Sequence, residues 1–190
     1  MDRKILKQNA KSQIKGKIGT LFIIELIIAV ITTAVSLIPT VGSACTLLIN
    51  PPFILSMTLI FLAIVRGGDV RVEDTFKGFS NFESAFKVNI LVTLFTMLWS
   101  LLLIIPGVVK SYSYSMAMYI LADNPGMGAK DAINLSKKMT EGHKMELFVL
   151  DLSFIGWILL SAITLGIGLI WVVPYINATR ANVYEQLKGI

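Results

Sequence analysis

The stretch LIIAVITTAVSLIPTVGSACTLLINPPFILSMTLIFLAIV, residues 26–65, contains no Asp, Glu, Lys or Arg. Residues 88–109 and 152–179 are equally free of these charged side chains. Charged residues make up 15% of the whole chain, whereas a soluble domain carries about 25%. Because a soluble fold could not cover so much apolar chain, the sequence predicts a polytopic membrane protein.

Each uncharged stretch contains a break. A membrane-spanning helix needs about 20 apolar residues, so residues 26–65 suit two helices separated by the proline and glycine of Ile38-Pro39-Thr40-Val41-Gly42. Similar turns occur at Ile105-Pro106-Gly107 and at Thr164-Leu165-Gly166-Ile167-Gly168. The sequence therefore predicts an all-α fold, a polytopic membrane helical bundle of six transmembrane helices in three hairpins. The hairpins cover residues 18–65, 86–121 and 147–184 of a single integral membrane domain, 1–190.

The basic residues predict the orientation of this bundle. Every lysine and arginine except Lys110 lies in the segments that join the hairpins, at the adjoining ends of the hairpins or in the two ends of the chain, including a basic N-terminal helix over residues 1–17. By the positive-inside rule, these segments and both termini are expected in the cytoplasm. Pro174 and the polar second half of the sixth helix leave a five-crossing alternative open, although it would place Arg180 and Lys188 outside.

The net charge of +5 and the pI near 9.4 do not indicate nucleic-acid binding, because the basic residues flank apolar stretches. Their expected partners are the lipid bilayer and its anionic headgroups on the cytoplasmic side. A homo-oligomer or a second membrane protein is left open as a further partner.

Two cytoplasmic connections are predicted to be amphipathic helices. In residues 72–86, a turn of 100° per residue collects Phe76, Phe79, Phe82 and Phe86 on one face, which predicts a helix at the membrane interface. In residues 129–144 the corresponding face carries smaller side chains such as Ala132 and Ser136, which favours packing against protein.

The chain also resembles itself. When Gly16 is aligned with Gly142, the segment Leu21-Phe22-Ile23-Ile24-Glu25-Leu26 falls on Leu147-Phe148-Val149-Leu150-Asp151-Leu152. Glu25 then matches Asp151, and Asn89 takes the equivalent place in the middle hairpin. All three hairpins would insert in the same orientation, so the sequence predicts parallel repeats.

The repeat places polar side chains at a similar depth in the inner half of the membrane. Arg180 and Asn177 of the sixth helix enter the same layer, so the candidate ligand-binding residues are Glu25, Asn89, Asp151, Asn177 and Arg180. Ionisable residues inside a membrane usually face the bundle interior or a water-filled cavity. Buried pairs that only orient the helices are the alternative interpretation.

Motifs for catalysis and for cofactors are missing from the sequence. His143 and Cys45 are the single histidine and cysteine, too few for a closed zinc site. The sequence has no P-loop, dinucleotide-binding glycine pattern or HExxH. Glu25 with Asp151 could in principle act as an acid–base pair, but nothing else supports an enzyme. We therefore predict no enzymatic activity, no catalytic residue, no cofactor and no metal.

The C-terminal half of the chain resembles a known family. Ile105-Pro106-Gly107, Ser111-Tyr112-Ser113-Tyr114-Ser115-Met116, Leu121-Ala122-Asp123-Asn124-Pro125, Gly142-His143-Lys144 and Pro174-Tyr175 resemble bacterial integral membrane proteins of unknown function, the family DUF nine-seven-five. The resemblance implies a bacterial plasma-membrane protein and implies no activity. The spacing of Ala132, Ser136 and Gly142 is also distantly similar to the membrane domain of bacterial glycerophosphodiesterases, whose catalytic domain this sequence does not contain.

Two functional hypotheses follow. In the first, the protein binds or moves a lipid-like, amphiphilic or charged ligand through its intramembrane polar layer, as a transporter-like protein would. In the second, it is a non-transporting membrane scaffold, an immunity protein or an envelope-stress protein that acts through its cytoplasmic amphipathic helices.

Overall fold

A computed structural model describes residues 2–39, 41–164 and 166–189, with the backbone alone for Leu102. Within these ranges the chain is all-helical, without a strand. The elements are α1 Arg3–Ile14, α2 Ile18–Ser36, α3 Gly42–Val65, a 3-10 helix Val72–Asn81, α4 Phe82–Leu102, α5 Ile104–Tyr114, α6 Ala117–Asp123, α7 Ala129–Met139, α8 Lys144–Leu152, α9 Ile155–Ile163 and α10 Leu169–Lys188. The predicted turn residues Thr40 and Leu165 lie outside the described residues.

Four helical segments of the described chain are long and apolar enough to cross a membrane: Ile18–Ser36, Gly42–Val65, Val72–Leu101 and Lys144–Ile163. The other two predicted crossings, the fourth and the sixth, differ from these four segments. One is divided at Ser115 and Met116 into α5 and α6. The other, α10, is long enough but more polar, since its second half contains Arg180 and Glu185. The structure thus supports an all-helical membrane protein, and six crossings stay a prediction.

The helix α3 is the centre of the structure. It contacts α2, α4, α6 and α10 as well as the 3-10 helix, and it contributes buried residues such as Leu55, Phe61 and Ile64. The helix continues through Pro51 and Pro52. The other helices are therefore arranged around α3, and this arrangement decides which polar side chains can meet.

Two amphipathic helices pack against the bundle. Leu6, Ala10 and Ile14 of α1 are buried, and Gln13 exchanges hydrogen bonds with Asn182 of α10, with its Nε2 3.3 Å from Asn182 Oδ1. On α7, buried Ser136 donates from Oγ to the carbonyl of Ser113 at 2.8 Å and accepts from the Met116 amide at 3.2 Å. Ser136 therefore satisfies backbone groups at the break between α5 and α6.

The segment 72–86 differs from its prediction as one amphipathic α-helix. It forms a 3-10 helix up to Asn81, and α4 begins at Phe82. The Arg71 amide donates to Asp74 Oδ2 at 2.9 Å and so caps the start of the 3-10 helix.

The change in helix type also divides the predicted aromatic face. With three residues per turn, Phe76 and Phe79 both meet Phe53 of α3, with ring centroids 6.2 and 5.0 Å away. Phe82 and Phe86 stack on each other instead, with centroids 6.0 Å apart. The four predicted interface residues therefore form two groups, one of which packs on the protein.

Candidate functional site

A cavity of about 590 Å³ lies between α2, α3, α5, α6, α8 and α10. Apolar side chains form most of its wall, and a smaller set of polar side chains converges on it. The polar residues are Asn50, Thr58, Ser111, Tyr112, Ser115, Tyr119, Asp151, Asn177 and Arg180. A largely apolar pocket with a few convergent polar groups is the usual form of a ligand site.

An ion pair forms the charged part of this cavity. Arg180 Nη2 lies 3.0 Å from Asp151 Oδ2, and the Tyr112 hydroxyl donates to the same carboxylate oxygen at 3.1 Å. The protein leaves 28% of the Asp151 side chain and 48% of the Arg180 side chain uncovered. Both charges are therefore paired and still reachable from the cavity.

Local sequence explains how these side chains meet. Asp151 lies next to the last residue of α8, just before the break at Ser153 and Phe154. Asn177 and Arg180 are three residues apart on α10, so they lie on one face of that helix. Within the described residues the Arg180 side chain bonds to Asp151 alone, so other guanidinium N–H groups are free to bind a ligand.

The structure brings together three of the five predicted ligand-binding residues. Asp151, Asn177 and Arg180 line the cavity, whereas Glu25 and Asn89 are not among its lining residues. Glu25 lies one turn before Ile28, which does line it, and Glu25 Oε1 is buried without a hydrogen-bond partner in the described chain. The cavity therefore contains three of the five predicted residues, and a role of Glu25 and Asn89 in ligand binding stays a prediction.

The burial pattern repeats at the positions that the internal alignment pairs. In each hairpin two buried residues three positions apart come directly before the polar residue: Leu21 and Ile24 before Glu25, Ala85 and Val88 before Asn89, Leu147 and Leu150 before Asp151. Gly16 and Gly142 both have positive φ, 82° and 80°. Three glycines also pack closely on the helix before them, with Gly42 on Val35 and Ser36, Gly107 on Ser100 and Gly168 on Ser161. These positions match between the hairpins in burial and in backbone conformation, and the repeat itself stays a prediction.

A second cluster of charges joins the ends of three helices, and the sequence reading did not identify it. Arg66, next to the end of α3, contacts Asp123 of α6 at 2.8 Å and Glu185 of α10 at 2.6 Å. Asp123 Oδ2 also accepts from Lys188 at 2.7 Å and from the Tyr184 hydroxyl at 3.0 Å. We refer to these five residues as the helix-end cluster. The cluster lies at the helix ends and its charged groups are paired with one another, which indicates a structural role.

The helix-end cluster controls the ionisation of Asp123. Burial by itself raises the pKa of this carboxyl, but hydrogen bonds from Lys188, Arg66 and Tyr184 outweigh burial and hold the pKa below its ordinary value. The fold therefore stabilises the ionised form of Asp123.

Other chemically reactive residues are scattered. His143 Nδ1 lies 3.0 Å from Glu146 Oε2, and Cys45 lies near the opposite end of the bundle, in the first turns of α3. In the part of the chain that the structure describes, three or more His, Cys, Asp or Glu side chains never group in a way that could hold a metal ion.

The helices and the cavity define a class: an all-helical protein with apolar helices long enough to span a membrane. The family model described as "Protein of unknown function (DUF975)" matches residues 1–111 and 101–190. The chain belongs to this family, which confirms the resemblance seen in the sequence. Comparison with curated proteins and with solved structures gives no significant match. The similarity to the membrane domain of glycerophosphodiesterases stays a prediction.

Proposed function

We propose that this DUF975 protein is a multi-pass protein of the bacterial plasma membrane with six crossings and both termini in the cytoplasm. The helix-end cluster supports this topology, because it joins the charged ends of α3, α6 and α10. Those ends belong to the second, fourth and sixth predicted crossings, so all three helices would finish on the same side. The basic helix α1 packs against α10, near these ends.

We further propose that the protein binds, or moves, an amphiphile with a charged headgroup. The observation that carries this proposal is the position of the Asp151–Arg180 pair in the wall of a mostly apolar cavity. Arg180 would bind an anionic group of the ligand, Tyr112 and Asn177 would orient the headgroup, and the apolar wall would hold the hydrocarbon part. A pair that served only to orient helices would not need a cavity beside it.

The proposal predicts weaker ligand binding when the pair is neutralised by Asp151→Asn with Arg180→Gln. A charge-assisted hydrogen bond contributes about 1.5–3 kcal/mol, so the dissociation constant should rise about tenfold or more. The measurement is binding of a fluorescently labelled lysophospholipid to the purified protein in detergent.

Glu83→Gln with Lys87→Gln is the matched control. It removes an exposed ion pair on α4, away from the cavity lining, and should change the dissociation constant by less than about twofold, since exposed pairs contribute little. Equal affinity of the two double variants and of the unchanged protein would contradict ligand binding in this cavity.

A scaffold function is the second candidate, and one observation favours it. Phe76 of the 3-10 helix and Phe82, the first residue of α4, remain exposed, where a membrane-protein partner could contact them. If the protein acts as a scaffold, Phe76→Ala and Phe82→Ala should impair its cellular role more than changes at Asp151 or Arg180.

A further inference from the structure

A second groove lies on another side of the bundle. It has a volume of about 580 Å³, within the range of about 300–1,000 Å³ typical of ligand pockets. Its wall combines the end of α1, the start of α2, the helix α9 and the first half of α10. Its lining includes Lys11, Lys15, Trp157, Leu160, Trp171 and Val172.

The two ends of this groove have different chemistry. Lys11 and Lys15 lie four residues apart at the end of α1, and both side chains are exposed. Among the described residues, neither lysine side chain has a hydrogen-bond or ion-pair partner. No Asp or Glu lines the groove, so its charged end is entirely cationic.

The rest of the groove is suited to a hydrocarbon chain. Trp157, Leu160 and Trp171 line it and remain exposed, and the lining continues to Gly168, beyond α9. Tryptophan is enriched where membrane proteins meet the interface, and exposed apolar side chains on a membrane protein face lipid. The groove therefore presents an apolar wall that begins next to two unpaired lysines.

We propose that this groove is a binding site for one anionic phospholipid. The phosphate would bind between Lys11 and Lys15, and an acyl chain would lie against Trp157, Leu160 and Trp171. This inference depends on the membrane location of the chain but not on the ligand of the Asp151–Arg180 cavity, because the groove shares no residue with that cavity.

Tryptophan fluorescence tests the proposal directly. The change Trp99→Phe removes the tryptophan of α4 and leaves Trp157 and Trp171, both in the groove. This protein is reconstituted in phosphatidylcholine vesicles that contain a minor fraction of either brominated phosphatidylglycerol or brominated phosphatidylcholine. A juxtamembrane lysine attracts anionic lipid by about 1 kcal/mol, or about fivefold. Quenching should therefore give brominated phosphatidylglycerol at least a fivefold higher relative association constant than brominated phosphatidylcholine.

The variants separate a site from general surface attraction. Lys11→Gln with Lys15→Gln should remove the preference for phosphatidylglycerol, whereas Lys11→Arg with Lys15→Arg should keep it. Lys4→Gln with Lys138→Gln makes the same change in net charge at exposed lysines outside the groove and should also keep it. Equal quenching by both brominated lipids, or equal losses in the two glutamine double variants, would overturn the proposal.

Discussion

Replacing Gly78 by alanine is expected to destabilise the protein by about 3 kcal/mol or more, because the added methyl has no space. A Cβ at this position would collide with the Pro52 carbonyl of α3 and would lie 2.7 Å from the Ser56 amide. The buried hydrogen bond from the Gly78 amide to Ser56 Oγ, 2.8 Å long, would also be lost. The 3-10 helix would have to withdraw from α3, and Phe76 and Phe79 would separate from Phe53.

The measurement for Gly78→Ala is the thermal midpoint of the purified protein in detergent. Gly126→Ala is the matched control, since a Cβ at Gly126 meets nothing within 4 Å and its φ is not in the left-handed region. We expect a clear fall in the midpoint for Gly78→Ala and almost none for Gly126→Ala. Similar midpoints for both variants would show that the 3-10 helix is not packed on α3 as described.

Asp123→Asn is expected to cost about 2 kcal/mol of stability at pH 7. The change removes the charge that Arg66 and Lys188 share, and breaking a buried ion pair costs about 3–5 kcal/mol. The Asp123 side chain is 9% exposed, but Arg66 and Lys188 are 42% and 50% exposed, so solvent screening lowers the expected loss. Chemical or thermal unfolding in detergent measures the difference.

The same variant gives a pH signature. The folded-state pKa of Asp123 is lower than its ordinary value of 3.8, so the stabilisation is present above pH 3.8 and is lost as the pH falls through the folded-state pKa. The difference in stability between the unchanged protein and Asp123→Asn should be constant from pH 7 to pH 5 and should shrink below about pH 4. A difference that stays constant down to pH 3 would contradict the ion pairing of Asp123.

The boundaries of the first two apolar helices could be predicted well from the sequence. The first hairpin, expected over residues 18–65 with a break at Pro39 and Gly42, is observed as α2, Ile18–Ser36, and α3, Gly42–Val65. The signal was strong because a long uncharged run was interrupted at one place, where Pro39 and Gly42 end and start helices. Such local signals do not depend on tertiary contacts.

The 3-10 helix could not be predicted in the same way. Residues 72–81 satisfy a helical wheel at 100° per residue, but the close approach of Gly78 to the α3 backbone exists only in the folded protein. Without that contact, the spacing of the phenylalanines is equally compatible with one α-helix. The 3-10 helix is therefore a result of packing against α3.

The candidate site could be predicted only in part, because the neighbours of its side chains depend on tertiary packing. Sequence register placed Glu25, Asn89 and Asp151 at equivalent positions, and the buried residues before them follow the same register. Register does not determine which neighbour each side chain faces around α3, so only Asp151 meets Arg180. Tyr112 belongs to a segment that carries the family resemblance, but its contact with Asp151 depends on how α5 packs against α8.

We propose that the chain threads the membrane with its cationic connections in the cytoplasm and its hairpin turns outside. Labelling with a membrane-impermeant maleimide in intact bacterial cells tests it most directly, after Cys45→Ala removes the single native cysteine. Ile105→Cys, in the first turn of α5 and 78% exposed, should be labelled in intact cells. Lys138→Cys, on the exposed face of α7, should be labelled only after the cells are permeabilised. Labelling of Lys138→Cys in intact cells, with protection of Ile105→Cys, would contradict the claim.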